Sequence, residues 1–416
     1  MSSFDWRFFL KRVAAIAVPV ALQNLLTTTG SMIDTMMIAS LGTTSVGAVG
    51  LCAQFSSLMF SCYWGFVGGG MLFFSQYWGA KDSEGINRSY GLTLTCMMSV
   101  GILFCLLAVF FPELVMRLYT DKVEIQRIGV AYLRIAGLNY PLTVFAMAMA
   151  SLLRSTERVR IPLYGSVTSV ISNVLLNWVL IFGHLGFPPL GVQGAALATV
   201  CANALNVLVI LLLARRSRHP YLLAVRQHFR WSRAFTGAYF RKCFPILCNE
   251  LFIGVGNMLI NVVLGRQTEQ AIAATAVFRT LEGLIIGFFA GFSNAASVLV
   301  GKEVGAGRLD CAWQRGIRLV YLCMGVIGVC GLFLVLLHEP ILRAMSLQGE
   351  SFRIAYGMVC IYAVAAVIRM GNWAQNDTYR AAGDPTIGTV LEIVFMFAMV
   401  VPLVWLGGMV LHWPFL

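Results

Sequence analysis

Apolar residues in this chain are gathered into long runs, and the polar positions fall mainly between them. About 20 consecutive apolar residues cross roughly 30 Å of hydrocarbon as a helix, whereas the alternation of a half-buried strand is nowhere sustained. The runs predict eleven membrane-spanning helices, at about 11–38, 45–76, 88–111, 125–153, 161–183, 190–214, 240–264, 270–301, 314–337, 353–380 and 386–410. The expected fold class is all-α, a polytopic membrane protein. The pattern is also written twice. Val18-Pro19-Val20-Ala21-Leu22-Gln23-Asn24 is echoed by Phe244-Pro245-Ile246-Leu247-Cys248-Asn249-Glu250, with Pro19 and Pro245 226 positions apart. Gly79-Ala80 returns as Gly305-Ala306, and Arg154 as Arg380, at the same offset. Three markers in one register imply duplication of a membrane domain, an arrangement typical of transporters. The expected domains are an N-lobe at 1–214 with helices 1–6, a basic cytoplasmic linker at 215–239, and a C-lobe at 240–416 with helices 7–11. Residue 416 falls at the repeat equivalent of Leu190, where the sixth predicted helix begins. The second lobe is therefore expected to lack a twelfth helix, to end on the outer side, and to be the less stable lobe.

Composition fixes the solvent. Hydrophobic residues make up 59% of the chain and charged residues 12%, against about 25% charged in a soluble domain. The net charge of +12 is topological, because Lys and Arg cluster on alternate loops. Arg7, Lys11, Arg12, Lys81, Arg88, Arg154, Arg158 and Arg160, the group from Arg215 to Lys242, and Lys302, Arg308, Arg315, Arg318 and Arg380 all share the side of the N-terminus. That side is expected to be the cytoplasm, which places the chain in the cytoplasmic (inner) membrane. The long basic linker fits anionic lipid better than nucleic acid. Arg7, Lys11 and Arg12 precede an apolar run too long for a cleavable signal peptide. The 11 cysteines include no CxxC pair and read as packing residues, and the five histidines lie near loops. No Walker loop is present, so neither ATP coupling nor a cofactor is expected.

Polar residues within the apolar runs are the candidates for chemistry, since each is costly in hydrocarbon. Asp34 lies late in the first run with no basic residue near it in sequence. Asn173 and Asn177 are four apart, hence on one helical face. At about 1.5 Å per residue, Asn177, Thr199 and Asp34 all fall in the outer half of the membrane. A carboxylate, amide oxygens, a hydroxyl and backbone carbonyls form an oxygen set suited to a small cation such as Na+. The same carboxylate is equally able to take up a proton, or to serve as a hydrogen-bonded structural group. Arg134 is a possible counter-charge for it. In the second half, Glu250, Arg279, Glu282 and Arg369 fall at similar depth, where two acids and two bases would neutralise one another in a buried network.

Several stretches carry a resemblance: Ala14 to Gly42 with Pro19 and Asp34, Gln76 to Ala80, Ser172 to Trp178, Gly191 to Ala196, Val300 to Arg308, and Ala381 to Pro385. In their order and spacing the chain resembles the bacterial-type multidrug and toxic compound extrusion (MATE) transporters of the MOP flippase superfamily. The resemblance implies two pseudo-symmetric helix bundles forming a V around a central cavity. It also implies antiport of lipophilic, mostly cationic organic compounds against Na+ or H+ by alternating access, with no enzymatic step. On this basis the N-lobe cation site maps onto Asp34, Asn173, Asn177, Thr199 and the carbonyl of Ala195, and the hinge proline onto Pro19, with Pro245 as its repeat. Glu250 matches an acidic residue used for coupling in some sodium-driven members. The acidic position expected on helix 10 falls near Gly371 or Asn372 instead, with Asp377 a turn or more nearer the cytoplasm. Expected partners are small organic molecules and membrane lipids, with the chain a monomer. A lipid-linked precursor flippase of the same superfamily is the nearest alternative, although such flippases carry several unbalanced cations in the cavity. A membrane-embedded enzyme is a further one, for which no nucleophile or metal ligand set is evident.

Overall fold

The structure, a computed structural model, describes residues 5–344 and 349–411. The described residues form helices and connecting turns: α1 (Trp6–Ala39), α2 (Thr43–Ala80), α3 (Ser83–Phe110), α4 (Pro112–Tyr119), α5 (Val123–Ala136), α6 (Asn139–Ser155), α7 (Arg160–Phe182), α8 (Val192–Arg216), α9 (Val225–His228), α10 (Arg233–Leu264), α11 (Glu269–Gly305), α12 (Leu309–Leu336), α13 (His338–Ala344), α14 (Gly349–Ala382), α15 (Pro385–Phe395) and α16 (Val401–Trp405). Two π-type segments, Met396–Val400 and Leu406–Val410, make α15 and α16 one continuous rod. Pro402 lies within that rod and has no N–H to donate, a circumstance that π turns accommodate. Ten spans among the described residues are long and apolar enough to cross a membrane, and α5 with α6, bent by 46° at the break between them, pass the same test together as one broken span or a re-entrant loop. At the bend Gly137 lies against α3, where an added Cβ would come within 2.7 Å of Ala108. Ten of the eleven expected crossings thus have a spanning helix each, the expected run at 125–153 falls on the bent α5–α6 pair, and α4, α9 and α13 are short additions. The chain is an all-α, multi-pass membrane protein. Its many exposed Leu, Ile, Val and Phe side chains, among them Leu106, Leu212, Ile368 and Leu391, face a bilayer and not water.

The chain divides into two compact units, Leu22–Cys243 on one hand and Met1–Ala21 with Phe244–Leu416 on the other. Each division point lies beside a proline: α1 changes unit two residues beyond Pro19, and α10 just before Pro245. In the first unit α2, α3, α5, α6, α7 and α8 pack around Phe55, Tyr63, Phe74, Tyr90, Met149 and Leu152. Close helix approach rests on small residues, as expected where lipid supplies no hydrophobic drive. At Gly194 on α8, for instance, an added Cβ would meet the Leu180 carbonyl of α7 at 2.5 Å. The segment from about 215 to 240 is no loose linker. Gln227 accepts a hydrogen bond from Asn87 at 2.6 Å, Tyr239 shares one with Thr93 at 2.7 Å, and the His228 ring stands edge-on to Tyr90.

In the second unit α11, α12 and α14 pack together around Phe278, Phe289, Ile327 and Tyr362. Residues 5–21 of α1 belong here too: Gly291 of α11 sits so close to them that a Cβ would lie 2.3 Å from the Ala17 carbonyl. Helix starts are fixed by caps, with the Asp82 carboxylate accepting from Gly85 N–H at 2.9 Å and the Thr268 hydroxyl from Ala271 N–H at 3.3 Å. Residues 412–416, on which the expected outer end of the chain falls, lie outside the described residues.

Candidate ion-coupling site

The first site is assembled by three helices. Gly30 lets α1 approach α7, since a Cβ there would stand 3.1 Å from Val170, and Asp34 follows one turn later on the same face. Asn173 and Asn177 on α7, and Ala195 and Thr199 on α8, are two i, i+4 pairs brought together by the tight α7–α8 packing at Gly194. A single hydrogen-bonded chain joins all five. Asn177 Nδ2 donates to Asp34 Oδ1 at 2.6 Å and to Asn173 Oδ1 at 3.2 Å. Asn173 Nδ2 then donates to Thr199 Oγ1 at 3.3 Å, which donates to the Ala195 carbonyl at 3.0 Å. Asp34 has no basic partner among the described residues, because Arg134 pairs instead with Glu113 at 2.6 Å. Asn177 is fully buried, and its Oδ1 accepts nothing. A buried acceptor left open beside an unpaired carboxylate is what a small cation or an added proton would satisfy. The donor set, all oxygen, fits Na+ as well as H+.

The second unit differs from the expected network. Glu250 does not join Arg279 or Arg369: Arg279 donates to Asn261, and Arg369 pairs with Glu282. Sequence spacing had grouped four charges by depth, but the helical faces of α11 and α14 point them to separate partners. Glu250 instead faces Arg380 at 3.5 Å, with Asp377 at 3.9 Å and Glu392 at 4.0 Å from the same guanidinium. Asn249 holds Glu392 by a 2.7 Å hydrogen bond, and Ser293 donates to Asp377. Three carboxylates thus surround one cation, with side chains between 12% and 23% exposed. Charge balance in such a place calls for further protons or a bound cation. Asn372 is exposed on α14 and takes no part. The sequence marks Arg380 as a repeat position and as one of the cytoplasmic-side cations, whereas its side chain is only 12% exposed among these acids, and Glu392 was passed over. The signal for both was the 226 offset, which sets Asn249 and Glu392 opposite Gln23 and Ser166.

A duplicated all-α bundle with polar centres buried among its spanning helices is an architecture found among membrane transporters. The MatE family model matches residues 19–179 and again 245–406, so each match starts at one of the two prolines that set the offset. The chain belongs to the MatE family. It is 26% identical over 94% of its length, and 85% of the relative's, to the probable multidrug resistance protein YoeA of Bacillus subtilis. It is 24% identical over 97% of its length, and 88% of the relative's, to the probable multidrug resistance protein NorM of Agrobacterium fabrum. Among solved structures it is similar in fold to a MATE protein in the bent conformation (TM-score 0.85, 18% identity, 96% of this chain and 88% of that one). A MATE transporter of the MOP superfamily in an outward-facing conformation gives a TM-score of 0.86 at 18% identity, with 100% of this chain and 92% of that one covered.

Proposed function

We propose that the protein is a secondary antiporter that exports lipophilic, mostly cationic organic compounds in exchange for Na+ or H+ entering at Asp34. The observation that carries this reading is the Asp34 carboxylate, which has no basic partner among the described residues and is held by Asn177, whose own buried Oδ1 is open. An ion arriving there neutralises the carboxylate and recruits the Asn177 and Asn173 oxygens, which rearranges the contacts of α1 with α7 and α8. Loading of the site therefore biases α1, and Pro19, which breaks the helical hydrogen-bond ladder, supplies the place where it flexes. The cage of Glu250, Asp377 and Glu392 around Arg380 is a second place for proton or cation exchange, with Glu250 on the helix beyond Pro245. Export as the direction, and drugs as the cargo, are supported by the names of the relatives, several of which are multidrug resistance or export proteins. The test is substrate flux in proteoliposomes with sodium and proton gradients imposed separately. One of the two gradients is expected to drive flux, and loss of that drive in Asp34→Asn assigns the site.

A further inference from the structure

Arg154 closes α6 and is only 6% exposed, yet among the described residues it has no acidic partner. Its Nη2 donates to Gln23 Oε1 at 2.8 Å, and Gln23 Nε2 donates to Ser166 Oγ at 2.8 Å. Its Nε–H is buried and meets no acceptor. A guanidinium taken from water with neither counter-charge nor full hydrogen bonding is strongly disfavoured, so the cage as described is incomplete.

The duplicated half shows where such a cage finds counter-charge, although the Arg380 Nε–H there likewise meets no acceptor. At the offset of 226, Asn24, Ser151 and Ser166 stand where the other unit has Glu250, Asp377 and Glu392, and Gln23 stands where it has Asn249. The anchoring bond is kept, since Gln23 to Ser166 and Asn249 to Glu392 both join residues 143 apart. Each carboxylate has a neutral counterpart here, and all three counterparts, Asn24, Ser151 and Ser166, are shorter than the acids at the repeat positions.

We propose that the cage around Arg154 binds a small monovalent anion of the halide class, held by the Arg154 guanidinium and the Ser166 hydroxyl, where the repeat position in the other half carries the Glu392 carboxylate. The Ser166 oxygen already accepts from Gln23, which leaves its proton free to donate. Sulfate and phosphate bring more charge and more acceptors than one guanidinium and one hydroxyl can serve. Occupancy neutralises the anchor that ties α1, four residues beyond Pro19, to α6 and α7. The inference does not depend on which ion drives transport.

The test uses the purified full chain in detergent, with sodium chloride or bromide replaced by sodium gluconate at constant ionic strength. The halides are expected to raise Tm by several degrees, saturably, and bromide-soaked crystals to give an anomalous peak beside Arg154. Ser166→Asp supplies a carboxylate in place of the anion. It is expected to melt in gluconate as wild type does in chloride, and to lose the halide response. Ser166→Ala, which keeps the cage neutral, is expected to weaken apparent halide affinity about tenfold, the worth of one hydrogen bond to a charged group. Equal wild-type Tm in chloride and gluconate, or a halide response unchanged in Ser166→Asp or Ser166→Ala, overturns the proposal.

Discussion

At the scale of single residues, the charges of this protein are read correctly only once their partners are known. The Asn173 and Asn177 pair was legible because i, i+4 spacing fixes a helical face, and Asp34 because an acid in an apolar run is costly wherever it points. Arg380 and Glu392 were not, because Glu250 lies 130 positions from the arginine it faces, and no local periodicity reports a contact of that range. Arg380 holds three acids, so Arg380→Met leaves them without a cation. It should destabilise the protein by about 3–5 kcal/mol, the usual result of removing one side of a buried ion pair, read as a fall in Tm. A second expectation concerns pH. Burial, helped by the nearby Arg158, lowers His219 to about 4, and its Nδ1 accepts from Leu222 N–H at 3.3 Å. The folded value lies below the unfolded one of about 6.5, so the unfolded chain binds more protons between the two. Stability from this group is present above about pH 6.5 and is lost as pH falls toward 4. His219→Gln should flatten the dependence of Tm on pH over that window.

At the scale of elements, the long helices were legible because the bilayer demands a fixed apolar length, and ten of the expected crossings have their helix while the one at 125–153 is broken into α5 and α6. The short helices α4, α9 and α13 escaped, since four to eight residues carry too little pattern. The packed state of the 215–240 segment escaped as well, because its signal lies in a glycine on another helix. Gly91 of α3 lies against the His228 backbone, where a Cβ would stand 1.8 Å from the carbonyl oxygen. Gly91→Ala is expected to dislodge α9 while leaving the spanning helices in place, and limited trypsin digestion should then cut at Arg226 and Arg230 at least tenfold faster. A cleavage rate like that of wild type would show the packing to be dispensable. The prolines of α1 and α10 act at the same scale. Pro19→Ala restores a helical hydrogen bond and is worth up to about 3 kcal/mol to a straight helix, so it is expected to slow flux without lowering Tm.

At the scale of the whole molecule, the duplication was visible as three markers at one offset, and the family match repeats it by starting at Pro19 and Pro245. The sequence did not reveal that each compact unit borrows the first part of the other half's leading helix: residues 5–21 of α1 pack with the second half, and α10 up to Cys243 with the first. That exchange depends on packing partners such as Gly291 against Ala17, far apart in the chain. The two halves differ in charge, the first built around a neutral cage at Arg154 and the second around an acidic one at Arg380. The central claim is that an ion entering at Asp34 drives export. It is tested most directly by measuring efflux of a lipophilic cation from proteoliposomes that contain wild type or Asp34→Asn, under separate sodium and proton gradients. The account predicts gradient-driven flux in wild type and none in Asp34→Asn, with substrate binding and Tm retained. Undiminished gradient-driven flux in Asp34→Asn would contradict it.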